Sequence, residues 1–476
     1  MKKLLMSLVC LFALVALVAC GQTEKPEQPK PVVKTYYGEY SETFGKGGDL
    51  YTTAVKVTVT DGVISKVEFT EESNHYTKGS SKWVETTWTD EEADVLASFE
   101  GKTVEEVLTA GAVADTKSQE GSVGMIVAGA TVTSNRVHNA IVDALTPVTY
   151  KLGMGVVVAE EGEASNGALL VSSTVATVVL DTEGKIVLCR LDALQNKIKV
   201  EDGVAVSNNT TSKAELGDNY NMSKFGANMD WNGDGRVLEW YLQAQAFENF
   251  VVGMTKEEVA AMTTQVVEGS GYVISDNEDL LAAGCTIQID EFKAAVVKAC
   301  NDEFAVEFST AEEIKLGVAI NAELNAGDTK AATETASGVA ALYSEYACTV
   351  VADGVILATL NDAIQPKLAF DIDGELGELT FEATKRELKE DYHMALFGAS
   401  MDWNGDGKVL EWYVQSAEFS KFVAGKTAEE VAAMATKEVP GKGYIISADD
   451  ALLTAGCTIQ ITGLKAVVVD AVANAR

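Results

Sequence analysis

Histidine is nearly missing from this 476-residue chain: there are three, His75, His138 and His393. They take unrelated places in the sequence, and no Ser/His/Asp set or paired-acid constellation accompanies them. The usual general base is therefore not supplied. Basic residues are also short, 37 Lys and Arg against 71 Asp and Glu, which leaves a formal charge of −34. Phosphate backbones and anionic lipid surfaces would both repel such a chain, which argues against nucleic acid as a partner. Cysteine spacing is uninformative in a useful way. Besides Cys20, the body of the chain holds Cys189, Cys285, Cys300, Cys348 and Cys457, an odd number with no CxxC or Cys/His ligand spacing. Neither a disulfide framework nor a zinc site is supported, so buried free thiols are expected. Proline is rare, and three of the six lie in one stretch, GQTEKPEQPKPVVK, just after Cys20.

The one long apolar run is N-terminal. Lys2 and Lys3 precede Leu4 to Val18, a stretch too short for an ordinary spanning helix. It ends in Leu17-Val18-Ala19-Cys20-Gly21, a small residue before a cysteine whose thiol accepts a lipid. Residues 1–19 read as a lipoprotein signal, Cys20 as the lipidated residue, and 20–34 as a polar tether. The expected location is the outer face of a cell membrane, held by the lipid at Cys20.

The rest is repetitive. Residues 225–262 match 397–434 at 27 of 38 positions without a gap, and the same offset carries LLAAGCTIQI (280–289) onto LLTAGCTIQI (452–461). A more distant copy lies upstream, where FEGKTVEEV (99–107) parallels FVAGKTAEEV (422–431) and VAGATVTSNRVHNAIVDAL (127–145) parallels TAGCTIQITGLKAVVVDAV (454–472). Three tandem modules are expected, over 35–147, 148–302 and 303–476, the last two duplicates of each other. Each carries a hairpin signal, such as alternating valines around Asp61-Gly62, then amphipathic helices, then a short strand-like segment opening a final helix. Thr103, Thr255 and Thr427 begin Thr-x-Glu-Glu capping boxes. Helices and strands mix without regular βαβ alternation, so the expected fold class is α+β, each module a small antiparallel sheet with packed helices.

One stretch carries chemistry: Ala128-Gly129-Ala130-Thr131-Val132-Thr133-Ser134, running into NRVHNAIVDAL. With the Gly-turn hairpin upstream, residues 35–147 resemble the FMN-binding domain family of Rnf-type and sodium-pumping quinone reductase subunits, also found in extracellular electron-transfer lipoproteins. In that family the threonine after Gly-Ala is joined to FMN through a phosphoester by a separate flavin transferase. The resemblance implies FMN at Thr131, with Gly129 and Ala130 allowing close approach and Thr133 and Ser134 donating to the phosphate. It also implies a flavin transferase and a membrane electron donor as partners. The family's acid and hydroxyl before Gly-Ala-Thr are Met125 and Ala128 here. The other modules carry Gly-Cys-Thr instead, so Thr286 and Thr458 are weaker candidates.

A second signal is Asp230-x-Asn232-x-Asp234-Gly235, repeated as Asp402-x-Asn404-x-Asp406-Gly407. Oxygen side chains at alternate positions closed by a glycine are the first half of an EF-hand calcium loop, with Arg236 and Lys408 offering backbone carbonyls. The twelfth position is Tyr241 or Tyr413, and the nearest acids are Glu239 and Glu411 at the tenth. Calcium and a plain Asx-rich turn both fit. The duplicated Asp192…Gln195…Lys197 and Asp362…Gln365…Lys367 suit either a cleft lining or a polar strand end. Two functions are compatible with these signals. One is a flavin-bearing surface lipoprotein in extracellular electron transfer. The other is a non-catalytic surface binding or scaffold lipoprotein with degenerate flavin domains and calcium loops.

Overall fold

The computed structural model describes residues 31–44, 49–73, 93–110, 131–164, 168–207, 210–224, 230–233, 235–325, 327–381, 383–396 and 401–476. Cys20, Gly129, Ala130 and Asp234 lie outside them, as do the side chains of Thr131, Thr133 and Ser134. The fold is α+β with antiparallel sheets throughout. The chain divides into two compact units, Met1–Thr146 and Pro147–Arg476. No described helix is long and apolar enough to cross a membrane.

Unit 1 is a meander of β1 (Val33–Phe44), β2 (Asp49–Thr60) and β3 (Val63–Phe69). Asp61 and Gly62 hold φ of 50° and 81°, the left-handed pair that a tight hairpin requires. Alternation then sends Val55, Val57 and Val59 to one face, where they are buried. The short helix α1 (Val104–Thr109) and the long α2 (Thr131–Leu145) cover that face. A side chain at Gly38 would collide with the Ala144 amide, so only glycine lets α2 lie this close to β1.

Beside two small two-stranded ribbons, Thr264–Val266 with Val273–Ser275 and Thr436–Val439 with Tyr444–Ser447, unit 2 holds two large sheets. The first, in the order β8-β4-β5-β6-β7, comprises β4 (Val148–Ala164), β5 (Ala168–Leu180), β6 (Ile186–Glu201), β7 (Val204–Ser207) and β8 (Val306–Thr310). The second comprises β9 (Lys315–Leu324), β10 (Gly338–Ala352), β11 (Val355–Ile364), β12 (Lys367–Phe370) and β13 (Leu376–Thr380). There β10 pairs with β9 on one edge and with β11 and then β12 on the other. Residue 366 explains that break. Where β6 runs unbroken through Asn196, the second sheet has Pro366, which has no N–H to give the ladder. β8 opens the stretch from 303 onward, yet it hydrogen-bonds to β4, completing the sheet of the stretch before it.

Each sheet of unit 2 has helices on its outer face. On the first lie α3 (Lys213–Leu216), α4 (Trp240–Phe250), α5 (Lys256–Ala260) and α6 (Asp290–Cys300). On the second lie α7 (Lys385–Leu388), α8 (Trp412–Val423), α9 (Ala428–Ala432) and α10 (Thr462–Ala473). The inner faces meet through Leu152, Met154, Val175 and Val179 against Leu316, Val318, Tyr346 and Val350. Unit 2 is thus layered helix, sheet, sheet, helix.

Three joints recur along the chain. The amide of Gly101 donates to Ile64 at 2.8 Å, that of Gly253 to Ile186 at 2.7 Å, and that of Gly425 to Ile356 at 2.8 Å. Each glycine has φ of 81–83° and stands two residues before a threonine with a complete capping box. The contact of Gly38 with Ala144 also recurs, as Gly153 with Ala299 and Gly317 with Ala471.

Candidate functional site

The family-like segment enters the helix earlier than its sequence suggests. Rather than standing in a turn before the helix, Thr131 is the first residue of the 15-residue α2, so Thr131 to Ser134 form its opening turn. The equivalent helices α6 and α10 begin at Asp290 and Thr462, four residues after Thr286 and Thr458. The amides of an opening turn lack intrahelical partners and favour an anion. One turn on, Arg136 is 6% exposed and its Nε donates to Glu42 of β1. Arg136 thus places a buried cation, paired with Glu42, just beyond the opening turn. Sequence reading missed Arg136, whose only signal was its being the single Lys or Arg in this helix. His138 is a core residue: it is 4% exposed, with Nε2 3.1 Å from the Val107 carbonyl and its ring stacked on Phe99.

Thr286 and Thr458 are sealed. They are 3% and 4% exposed, and each gives both its amide and its hydroxyl to a buried glutamine. For Thr286 the acceptor is Gln243 Oε1, at 2.9 and 3.2 Å; for Thr458 it is Gln415 Oε1, at 2.7 and 3.2 Å. The glutamine amides in turn donate to the carbonyls of Leu238 and Leu410. Gly284 and Gly456 have φ of +96°, the reason for glycine at the head of Gly-Cys-Thr. Cys285 and Cys457 are buried free thiols, each pushed up to about 12 by burial, and so poor nucleophiles.

In the Asp/Asn loops, Asp402 accepts from the Asp406 amide at 3.1 Å and the Gly407 amide at 3.0 Å. Asn404 anchors the loop by donating to the Leu453 carbonyl at 3.0 Å, as Asn232 does to Leu281 at 3.1 Å. Asp406 accepts from Lys408 and Asn404. Asp230 accepts from Gly235 at 3.0 Å. Glu239 and Glu411 serve elsewhere. Each stands just before its helix and takes two amides from the preceding segment, Met222 and Ser223 at 2.8 and 3.2 Å, Met394 and Ala395 at 2.9 and 3.0 Å. Arg236 and Lys408 are exposed at the loop tips. Among the described residues, no group of three or more His, Cys, Asp or Glu is drawn together as a metal cluster.

The duplicated Asp are buried brackets and the duplicated Gln are half-buried ones. Asp192 accepts from the amides of Ala193 and Ala214, and Asp362 from those of Ala363 and Arg386. Gln195 takes the Tyr220 hydroxyl and Gln365 the Tyr392 hydroxyl, both at 3.1 Å. Only Asp362 has a cation, Arg386, which also binds Asp302 at 2.9 Å across the two sheets. Asp192 has Ala214 in that place, and burial raises it to about 6. Beside each bracket a lysine enters an aromatic cage. Lys213 lies 5.3 Å from Tyr220 and 5.4 Å from Trp240; Lys385 lies 4.6, 5.0 and 5.2 Å from Tyr343, Tyr392 and Trp412. Burial lowers Lys385 to about 8 against the pull of Glu345.

A carboxylate also changes its carrier. On the first sheet, Glu291 of α6 accepts from Thr174 of β5 at 2.7 Å. On the second, the strand supplies the acid, Glu345, and the helix position is Gly463, where a Cβ would overlap Glu345 Oε2. Tyr343 donates to Glu345 at 2.9 Å. At the matching place in unit 1, α2 carries Arg136.

Comparison of the chain with protein-family models, with curated proteins and with solved structures finds no match in any of the three.

Proposed function

We propose that the chain is a surface lipoprotein, anchored through Cys20, whose first unit carries FMN at Thr131 and passes electrons outside the cell. On this reading the three stretches 35–147, 148–302 and 303–476 are copies of one module, as the recurring glycine joints suggest. The observation that carries the reading is the opening turn of α2. Thr131 stands at a helix N-terminus with Arg136 one turn on, while Thr286 and Thr458 are enclosed by glutamines. Thr131 would hold the phosphate as an ester. Gly129 and Ala130 would leave room for it, and Thr133, Ser134 and the helix amides would donate to it. The flavin supplies the redox chemistry when bound, and this chain supplies position and charge. The helix end contributes roughly 0.3–1 kcal/mol, too little to retain FMN alone, so retention depends on the ester or a packed ring pocket. Intact mass after co-expression with a flavin transferase tests this. A gain of FMN minus water that vanishes in Thr131→Ala is expected, and an unmodified mass without flavin absorbance refutes it.

A second reading draws on unit 2. Its threonines are sealed, and its Asp402 loop already turns the carboxylate onto the amides of Asp406 and Gly407. Unit 2 would then be a scaffold whose Asp/Asn loops take calcium weakly, on the order of 10⁻⁴–10⁻³ M. Calorimetry at millimolar calcium should give heat that is lost in Asp402→Ala/Asp230→Ala; no heat in the parent chain excludes it.

A further inference from the structure

We infer that the open face of the unit 1 sheet is a docking surface for a basic, lysine- or arginine-rich segment of a partner protein. The face is the one opposite α2. Tyr37, Lys56 and Glu68 lie in a row across its three strands, with Glu39 and Ala54 in the next row. Together with the turn after β3, and with Asp143 of α2 reaching the β1 edge at the Glu39 amide, they line a groove of about 680 Å³. In unit 2 the same face of each sheet is covered by the other sheet. In unit 1, among the described residues, it carries Tyr37, Glu39, Lys56 and Glu68, and Tyr37 is 56% exposed.

The lining decides what fits. The lining holds Glu39, Glu68, Glu71, Glu72 and Asp143 against Lys56; Glu68 is paired with Lys66 at 2.6 Å, which leaves the groove net acidic through the other four. A second copy of this face would meet it with like charge, so pairing as in unit 2 is disfavoured. Strand addition along β1 is blocked at Glu39, whose outward amide already donates to Asp143 at 2.9 Å. What remains is docking onto the face by side chains of opposite charge, with the Tyr37 ring as a plate for an ammonium or guanidinium group. This inference is independent of flavin, since it uses none of residues 129–134.

The probe is an octalysine peptide with the full chain. Zero-length carbodiimide coupling followed by mass mapping should concentrate cross-links on Glu39, Glu68, Glu71 and Asp143. Affinity by fluorescence anisotropy at low ionic strength should fall about tenfold in Glu39→Lys/Glu71→Lys, and less in Glu39→Gln/Glu71→Gln. The control Glu183→Lys/Glu334→Lys, at exposed acids of unit 2, should leave it within about twofold. Cross-links spread evenly over both units, equal weakening by the control pair, or no binding at low salt each overturn the inference. If the lysine variant is misfolded by circular dichroism, the glutamine variant and the cross-link map of the parent chain decide.

Discussion

Tyr37, Glu39, Lys56 and Ala54 of unit 1 stand where Leu316, Val318, Val350 and Cys348 stand in unit 2. The equivalence rests on Gly38 and Gly317 beneath their helices and on the ladder register beside each glycine. All four unit 2 side chains are buried between sheets, whereas Tyr37 and Glu39 are exposed. Both sheets bury one face under helices by the same glycine-to-helix contact. What differs is the period-two partner set on the other face, and that set alone decides whether a sheet needs a second sheet. In these two units, the face away from the helices therefore reports whether sheets pair, and the helix-facing pattern reports only the helix contact.

The sharpest way to break the comparison is to give unit 2 the unit 1 residue. Val318→Glu places an unpaired charge between the sheets and should cost unit 2 about 3–5 kcal/mol or more, read by urea unfolding. Glu39→Val in unit 1 should move stability by about 0.5 kcal/mol or less. Equal effects would show that the two faces are not equivalent.

Within unit 2, the two halves differ in how their buried charges are compensated. Lys385 has a folded value near 8, below its ordinary value, so the folded state binds fewer protons than the unfolded state between about pH 8 and pH 10. Stability should rise with pH across that window, by up to about 3 kcal/mol for this group. In Lys385→Met that rise should be absent from the stability-versus-pH curve. Asp192 has the opposite slope. Its folded value near 6 lies above its ordinary value, so the folded state holds the proton more tightly. Its contribution is most favourable below about pH 4, declines as pH rises through 6, and at neutral pH is a penalty of about 3 kcal/mol. Asp192→Asn should flatten that decline in unfolding measured from pH 4 to 7. Asp362→Asn, which leaves the buried Arg386 with Asp302 as its one remaining carboxylate, should destabilise instead.

The smallest effect concerns the acid that changes carriers. Gly463→Ala pushes a methyl group into Glu345 and should cost about 1–3 kcal/mol. Adding Glu345→Thr restores the strand residue of the first sheet and should recover most of that loss in a double-mutant cycle. Additive losses would mean that the helix and strand positions are not coupled.

Much of the fold was legible because it is local. The Asp-Gly turn, the Thr-x-Glu-Glu boxes and the amphipathic final helices all depend on residues within a turn of one another, and all are present in the fold. The duplication was legible because 225–262 and 397–434 kept their residues. What stayed hidden was non-local. No pattern within β8 says that Val306–Thr310 pairs with β4 rather than with β9, the next strand along the chain. Lys385 and Arg386 look like ordinary helix-surface cations, and only the tertiary fold shows one in an aromatic cage and the other bolting two sheets together. Glu239 and Glu411 were expected beside the loop by spacing, but their backbone position, extended just before a helix, turns them toward the amides of residues 222–223 and 394–395. GATVTS singles out Thr131 in the sequence, whereas Arg136 became visible only through its burial against Glu42.

β8 has a consequence for the order of events as the chain folds. Val148 of β4 finds its partner, Thr310, only after the whole of β5 to α6 has been made. Contacts this far apart in sequence close late, because the loop between them must first lose its freedom. Until then the outer edge of β4 from Val148 to Leu152 is an unpaired strand, the kind of edge that recruits other chains. In N-to-C emergence, the first sheet of unit 2 is therefore sealed by the segment that begins the second, and only residues 311–314 separate that seal from β9. The two halves are sewn together by their own folding sequence, and neither can be complete while the other has yet to start.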